Sequence, residues 1–427
     1  MASQKRRKGF LMSWNDKLQR PKKYVSWFCK WSFLAVLMGA LGGVLGALFH
    51  HSLHYVTHLR LEHTWLVLLL PIGGLLSVAW YRLLKLNKNR GTNEIIDAVL
   101  DGEELKPQIA PGIFGAAMLT HLFGGSAGRE GAALQLGGSA ASALSKLFGL
   151  KRQSRRVMIM AGMSSVFAGL FGTPLNAALF CMEFESVGTI FSPALLPCYI
   201  AAFTASSVSA MMGVHAEGYL LENAAAISLG NLWAYLLLAV LIAVLGTIMV
   251  RVFHGAEHLA AHHVKSPWVR IFAGGVLIAA LTYAVGDHQF NGAGMDMALE
   301  AVAGHAEWYS FLLKLLFTAV TLAAGFKGGE IVPTFCIGAT FGCVVGGFLG
   351  LDAGIAGALG LVGLFCCATN SPIASIVLSI EMFGGANLHL FALVCVICFV
   401  LSGNTGLYAS QMALFDKASE QIPPREP

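Results

Sequence analysis

The sequence predicts an all-α polytopic membrane protein in which one helical unit occurs twice, inserted in opposite directions, with broken and tilted helices. Three observations carry this expectation: the composition, an internal repeat, and the placement of lysine and arginine along the chain. Of the 427 residues, 56% are hydrophobic and only 12% are charged, whereas about a quarter of the residues in a soluble domain are charged. Apolar runs recur from about residue 31 to residue 412, and a membrane span needs roughly 20 apolar residues.

The repeat shows itself in four landmarks. Phe49-His50-x3-His54-x3-His58 recurs as Phe253-His254-x3-His258-x3-His262. Gly91-x-Asn93-x3-Asp97-Ala98-Val99 recurs as Gly294-x-Asp296-x3-Glu300-Ala301-Val302. Gly128 to Gly137 matches Gly329 to Gly338, and Thr173-Pro174-Leu175 with Glu183 matches Ser371-Pro372-Ile373 with Glu381. The landmarks keep their order while the offset falls from 204 residues (Phe49 to Phe253) to 198 (Thr173 to Ser371). A fixed order at a slowly drifting offset is the mark of a duplicated unit.

The basic residues orient the copies. The tail before the first copy, "KRRKGFLMSWNDKLQRPKKYVSWFCKW", is strongly basic and is expected on the cytoplasmic side, with Trp14, Trp27 and Trp31 at the interface. "YRLLKLNKNR" and "KRQSRR" return to that side. The segment before the second copy, "GVHAEGYLLENAAAISLGNL", has no lysine or arginine, so it is expected outside, and Arg251, Lys265 and Arg270 follow one span later. The copies therefore enter from opposite faces. The expected organisation is a basic cytoplasmic N-terminal segment, 1–30, a first membrane repeat, 31–213, a second, 214–412, and a short tail, 413–427. The first thirty residues lack a short apolar core followed by a small-residue site, so no cleavable signal peptide is expected.

Composition also narrows function. The net charge of +5 is concentrated in the N-terminal tail, which suits anionic headgroups and not nucleic acid. Most of the nine cysteines lie in apolar runs, where they act as small hydrophobes. Cys395-x2-Cys398 in "LVCVICFVL" reads as helix filler. The histidine ladders place imidazoles on one helix face, but neither ladder is completed into a metal set, so no metal and no other cofactor is expected. No nucleophile–base pair marks an enzyme.

The chemistry concentrates in "GGSAGREGAALQLGGS", Gly124 to Ser139. The apolar runs on either side are too short for comfortable straight spans, and glycines this dense favour a turn inside the membrane. Non-helical backbone is tolerated there only against protein or a cavity. A helix is expected to begin near Glu130 or Gly131, and its first amides, free of intrahelical partners, can donate to an anion. "GFKGGEIVPTFCIGATFG" repeats the construction, with Pro333 near a helix start. Inverted repeats bring such broken helices together at the midplane. A Gly124-x3-Gly128 packing motif would explain the glycines but not the Arg129-Glu130 pair. An ion pair between those two neighbours is the other reading of the pair, although adjacent residues on a helix rarely face each other.

An intramembrane glutamate marks a functional site by default. Ionised, the Glu130 carboxylate can occupy an anion site; protonated, it can leave. One group that competes with the anion and also takes a proton couples two fluxes.

"GREGAALQLG" resembles the GREGPxxQxG signature of the CLC anion channels and transporters. "GTPLNAALFCMEF" and "GGEIVPTFCIGATFG" resemble the segments that accompany it, and the likeness covers roughly residues 31 to 412. The resemblance implies a CLC-type fold, a homodimer with one ion pathway per subunit, Glu130 as the gating glutamate, and Tyr408 in "GNTGLYASQ" as the inner-gate tyrosine. The anion-binding groups it implies are Thr92 or Asn93, Gly128, Arg129, Gly131, Ile331, Val332 and Tyr408. Four departures stand out. Ala132 replaces the proline after GREG. The serine loop is replaced by "RGTNEIIDAVL", with Asn93 or its neighbour Thr92 at the serine position. Glu330 precedes Ile331 where phenylalanine is usual. Phe184 stands where chloride/proton exchangers carry an inner glutamate. These departures are similar to those of the fluoride/proton antiporter branch.

The expected function is thus a secondary active transporter, not an enzyme, that exports fluoride in exchange for protons across a cytoplasmic (inner) membrane; a chloride-selective CLC transporter or channel is the alternative. Glu330 is expected to join Glu130 in proton transfer, or else to serve as a structural partner for Lys327 or a turn. Fluoride needs hard donors such as backbone amides, the Asn93 amide and the Tyr408 hydroxyl. Arg129 and Lys327 are expected to fix loops, and Glu183 and Glu381 to lie at helix ends near the membrane surface.

Overall fold

The structure is a computed structural model. It describes residues 14–413 and 417, apart from 216, 217, 222–224, 226, 227 and 229. Much of the segment expected to be external, 213–232, and nearly all of the C-terminal tail therefore lie outside the described residues, as does the start of the basic N-terminal segment.

Sixteen α-helices fall into two series of eight among the described residues. The first runs α1 (Trp14–Glu62), α2 (Leu70–Leu83), α3 (Thr92–Asp101), α4 (Ile109–Leu122), α5 (Glu130–Leu147), α6 (Arg152–Phe171), α7 (Pro174–Glu183) and α8 (Leu195–Met211). The second runs α9 (Leu232–His263), α10 (Pro267–Val285), α11 (Met295–Val302), α12 (Ser310–Ala324), α13 (Ile331–Phe348), α14 (Ala353–Thr369), α15 (Pro372–Phe383) and α16 (Leu388–Leu401). Each sequence landmark sits at the same place in its series. α1 passes through residue 31 without a break, so the expected junction at 30/31 falls inside a helix.

Six helical segments among the described residues are long and apolar enough to cross a membrane, including Pro21–Glu62 and Leu232–His263. The apolar helices α4, α12, α14, α15 and α16 are shorter, with 10–17 residues. Stubs of that length stop partway through a bilayer and must end against protein. All five contribute residues to one buried core, which draws on both series.

Close backbone approach holds the paired helices. A Cβ added at Gly137 would sit 2.2 Å from the Gly162 carbonyl oxygen, and one at Gly338 2.3 Å from that of Gly360. α5 crosses α6, and α13 crosses α14, through these equivalent contacts. The Gly124-x3-Gly128 packing reading fails by comparison. Gly124 lies outside any helix with φ +86°, between the end of α4 and the start of α5.

The interface between the series carries exchanged contacts. Gly128 donates to the Gly329 carbonyl at 2.6 Å and Gly329 donates to that of Gly128 at 2.7 Å. Farther along, a short parallel pair joins β1 (Ser186–Val187) to β2 (Met412–Ala413).

Candidate functional site

The site begins at the Gly128–Gly329 bridge. The loop before α5 is tied to the second series: the Asn291 side chain donates to the Gly124 carbonyl at 2.8 Å, and the Ser126 amide donates to the Thr321 hydroxyl at 3.0 Å. This fixes where α5 starts. Glu130 is its first residue and Arg129 its N-cap, without a side-chain cap. On the other side Glu330 is the N-cap of α13, also without a side-chain cap. Two uncapped helix starts thus face each other across one two-residue bridge. Each presents amides without intrahelical partners and the positive end of its dipole.

Glu130 is fully buried, and neither of its carboxylate oxygens has a hydrogen-bond partner among the described residues. The backbone amides of Glu130 itself, of Arg129 and of Val332, the last from the opposite helix start, lie near enough to act on the carboxylate. Glycine is required beside it. A Cβ on Gly128 would stand 2.4 Å from Glu130 Oε2, and one on Gly329 2.5 Å from the same atom. The carboxylate therefore lies between the two strands of the bridge, where a small anion would meet the same amides.

Arg129 adds its field to the site from the side. Its guanidinium lies over the Phe171 ring, 4.9 Å from the centroid, and Nη1 is 3.5 Å from His50 Nδ1. These contacts hold the Arg129 guanidinium against Phe171 and His50, beside the start of α5.

Tyr408 comes from the turn-rich segment after α16. The Leu407 amide donates to the Ala368 carbonyl at 2.8 Å, and His254 Nε2 lies 3.1 Å from the Leu407 carbonyl. The Gln411 side chain donates to the carbonyls of Phe184 and Thr369 at 2.8 Å each. The Tyr408 ring meets Phe184 edge-on at 5.6 Å, and its buried hydroxyl has no hydrogen-bond partner among the described residues. Phe184, which occupies the place expected for an inner glutamate, is thus the apolar support of the tyrosine.

A cavity of about 490 Å³ opens on this segment, lined in part by Thr92, Asn93, Gln135, His254, Glu330 and Tyr408. Glu130 is not among its lining residues; Glu330 is. Asn93 is held at its mouth, where its Oδ1 accepts from the Ser410 amide at 3.0 Å. That bond fixes the side chain's orientation and leaves its NH2 without an acceptor among the described residues. Thr92 starts α3 and lies against Gly131, since a Cβ there would be 3.0 Å from Thr92 Oγ1.

The structure therefore gathers Thr92, Gly128, Glu130, Gly131, Glu330, Ile331, Val332 and Tyr408 around one locus, with Asn93 at its cavity side and Arg129 behind it. Three residues escaped the sequence reading. Gln135 lies one helical turn after Gly131 on the same face, and its Nε2 donates to the Gly131 carbonyl at 3.1 Å. The i,i+4 spacing was available as a signal. Lys314 and Arg60 are buried cations at the loops that anchor α5. Lys314 donates to the carbonyls of Phe290 and Gly292 at 3.2 and 2.7 Å. The histidine ladders stack ring on ring, His54 with His58 and His258 with His262, and no group of three metal-ligating side chains forms among the described residues.

Residues 73–403 match the family described as voltage gated chloride channel. A chloride/fluoride channel protein of Pseudomonas syringae pv. tomato is 34% identical over 417 residues, 96% of this chain and 92% of that one. An H(+)/Cl(-) exchange transporter ClcA of Vibrio campbellii is 25% identical, covering 82% of this chain and 81% of that one. Among solved structures, a CLC-type fluoride/proton antiporter superposes with a TM-score of 0.87 at 28% identity, over 94% of this chain and all of that one.

Proposed function

The chain belongs to the CLC family of voltage gated chloride channels and related anion/proton antiporters, a family of multi-span membrane transporters, and we propose that it exports fluoride in exchange for protons. The observation that carries this reading is the seat of the Glu130 carboxylate, inside the Gly128–Gly329 bridge and among amides from both helix starts. An anion and the ionised carboxylate compete for these donors. Protonation of Glu130 frees them, and the neutral side chain can swing out with its proton.

The preference for fluoride rests on the donors. Fluoride is small and strongly hydrated, so dehydrating it requires hard hydrogen-bond donors. Backbone amides, the Asn93 NH2 and the Tyr408 hydroxyl are such donors. Glu330, on the cavity side of the site, can donate only when protonated, which ties the proton to the anion's passage. Phe184 offers no carboxyl for a separate inner proton route, so proton and anion share the segment between Glu330 and Glu130. A relative named for chloride and fluoride and a structural neighbour named for fluoride/proton antiport support this choice.

The remaining parts of the proposal are an N-terminus on the cytoplasmic side of an inner membrane, repeats bounded at 31–213 and 214–412, and a homodimer with one pathway per subunit. The deciding experiment is reconstitution into liposomes with fluoride, chloride and pH recorded together. Fluoride flux well above chloride flux, with opposite proton movement, is expected; equal chloride transport would return the chain to the chloride-selective alternative.

A further inference from the structure

A second cavity, of about 390 Å³, lies beside the first, between the end of α2 and the start of α10. Its lining includes three cations, Arg82, Arg270 and Lys327, against one carboxylate, Glu257. Two of the cations are supported by rings. Arg82 lies over Trp268, 5.4 Å from its centroid, and Lys327 over Tyr81 at 5.1 Å. A ring face steadies a cation without consuming its N–H donors. Arg270 and Arg82 have no ion-pair partner among the described residues, and Arg270 Nε is buried without a hydrogen bond.

This arrangement is costly as it stands. Arg270 sits in the first turn of α10, where the helix dipole disfavours a cation, and Ser266 gives that helix start no side-chain cap. Arg270 and Lys327 are also close enough to repel each other. A bound anion would reverse all three penalties, since it would meet the uncapped amides of α10, the half-buried Arg270 with its buried Nε, and the ring-held Arg82 together. Guanidinium forks matched to a helix start favour a tetrahedral oxyanion over a monatomic halide.

We infer that the α2–α10 cavity is a binding site for a phosphate-bearing anion, either free phosphate or the headgroup of an anionic phospholipid. α2 and α10 carry the exposed apolar residues Leu76, Leu83, Val269 and Phe272, which suit acyl chains alongside a seated headgroup. Asn89, Glu257 and Lys327 line both this cavity and the one that reaches Glu330. An occupant therefore stands against the wall of the transport cavity. The inference holds whichever halide is carried.

The test uses the full chain in phosphatidylcholine nanodiscs. In one arm inorganic phosphate is added; in the other phosphatidylglycerol replaces part of the phosphatidylcholine. The readout is the emission of Trp268, obtained as the difference between the protein and its Trp268→Phe variant. A saturable change is expected in at least one arm, and the arm that responds identifies the source. Arg82→Gln and Arg270→Gln should each weaken that response by about tenfold, with melting temperature and halide flux in neutral lipid retained. An absent response in both arms from protein of normal melting temperature overturns the inference. So does a response of undiminished affinity in both arginine variants. If Arg270→Gln fails to fold, the exposed Arg82 decides alone, with Arg82→Lys expected to recover only part of the affinity because it keeps the charge and loses the fork.

Discussion

Glu183 and Glu381 cap each other's helices. The carboxylate of Glu183, at the end of α7, accepts from the Ile373 and Ala374 amides at the start of α15, at 3.1 and 2.7 Å. Glu381, near the end of α15, accepts from the Leu175 and Asn176 amides at the start of α7, at 2.9 and 2.8 Å. Each of these helices begins with proline after a Thr173 or Ser371 that makes no side-chain cap. The opposite repeat supplies the missing cap as a charged one. An exchange of this kind requires the two copies to run antiparallel.

Removing one carboxylate charge should therefore lower stability without touching transport chemistry. Glu183→Gln and Glu381→Gln are each expected to cost about 1.5–3 kcal/mol, the range for hydrogen bonds to a charged group. The measurement is the thermal midpoint of the purified protein in detergent, compared with proton-coupled flux. Loss of coupling at an unchanged midpoint would place these glutamates in the pathway instead.

These caps were hidden from sequence reasoning for a physical reason. Thr173 and Ser371 look like ordinary N-cap residues, and nothing local says that a glutamate about two hundred positions away does their work. Both glutamates are helix-end residues, and Glu183 is buried within the protein. The broken helices were legible because they leave local marks, glycine density and a charged residue inside an apolar run. The positions of Lys314 and Arg60 were not, because the loop carbonyls that hold Lys314 and the glycine loops against Arg60 are brought near only by tertiary packing.

Glu130→Gln should uncouple the two fluxes. Glutamine fills the same space but can neither ionise nor carry a proton, so a proton gradient should no longer drive uphill fluoride movement. The assay is simultaneous fluoride and pH recording from liposomes. Persistent uphill exchange would remove Glu130 from its role.

The glycine bridge makes a sharper prediction, because its two members differ in what a methyl group would strike. At Gly128 the nearest atom is the far end of the Glu130 side chain, which can move. At Gly329 the added Cβ also meets the backbone nitrogens of Gly131 and Glu130 at 2.8 and 2.9 Å. Gly128→Ala should thus displace the carboxylate in a folded protein and impair coupling. Gly329→Ala should in addition destabilise by about 1–3 kcal/mol through overpacking. Gly347→Ala, with nothing within 4 Å of the new methyl, is the control and should be neutral or slightly stabilising.

Asn93→Ser should relax selectivity. Asn93 offers an NH2 toward the cavity while its carbonyl is held by Ser410. Serine is too short to hold both places. Loss of one hard donor, worth ~1.4 kcal/mol, corresponds to about a tenfold fall in the fluoride-over-chloride flux ratio. An unchanged ratio would shift the role to Thr92, whose hydroxyl lies against Gly131.

Glu330 separates the antiporter reading from a structural one. Its backbone already serves the fold, since the carbonyl accepts from the Thr334 amide and hydroxyl at 3.1 and 2.8 Å. The side chain is not needed for either bond, so Glu330→Gln should fold normally. If the carboxyl hands a proton to the passing anion, its loss should slow turnover by roughly two orders of magnitude, the usual size of a proton-transfer contribution. The fall should appear in fluoride and proton flux together, because one group serves both. If the carboxyl only balances Lys327, turnover should stay near that of the unmodified protein and the midpoint of thermal unfolding should fall instead. Measuring both quantities on one preparation therefore decides between a proton donor at the cavity wall and a counter-charge within it.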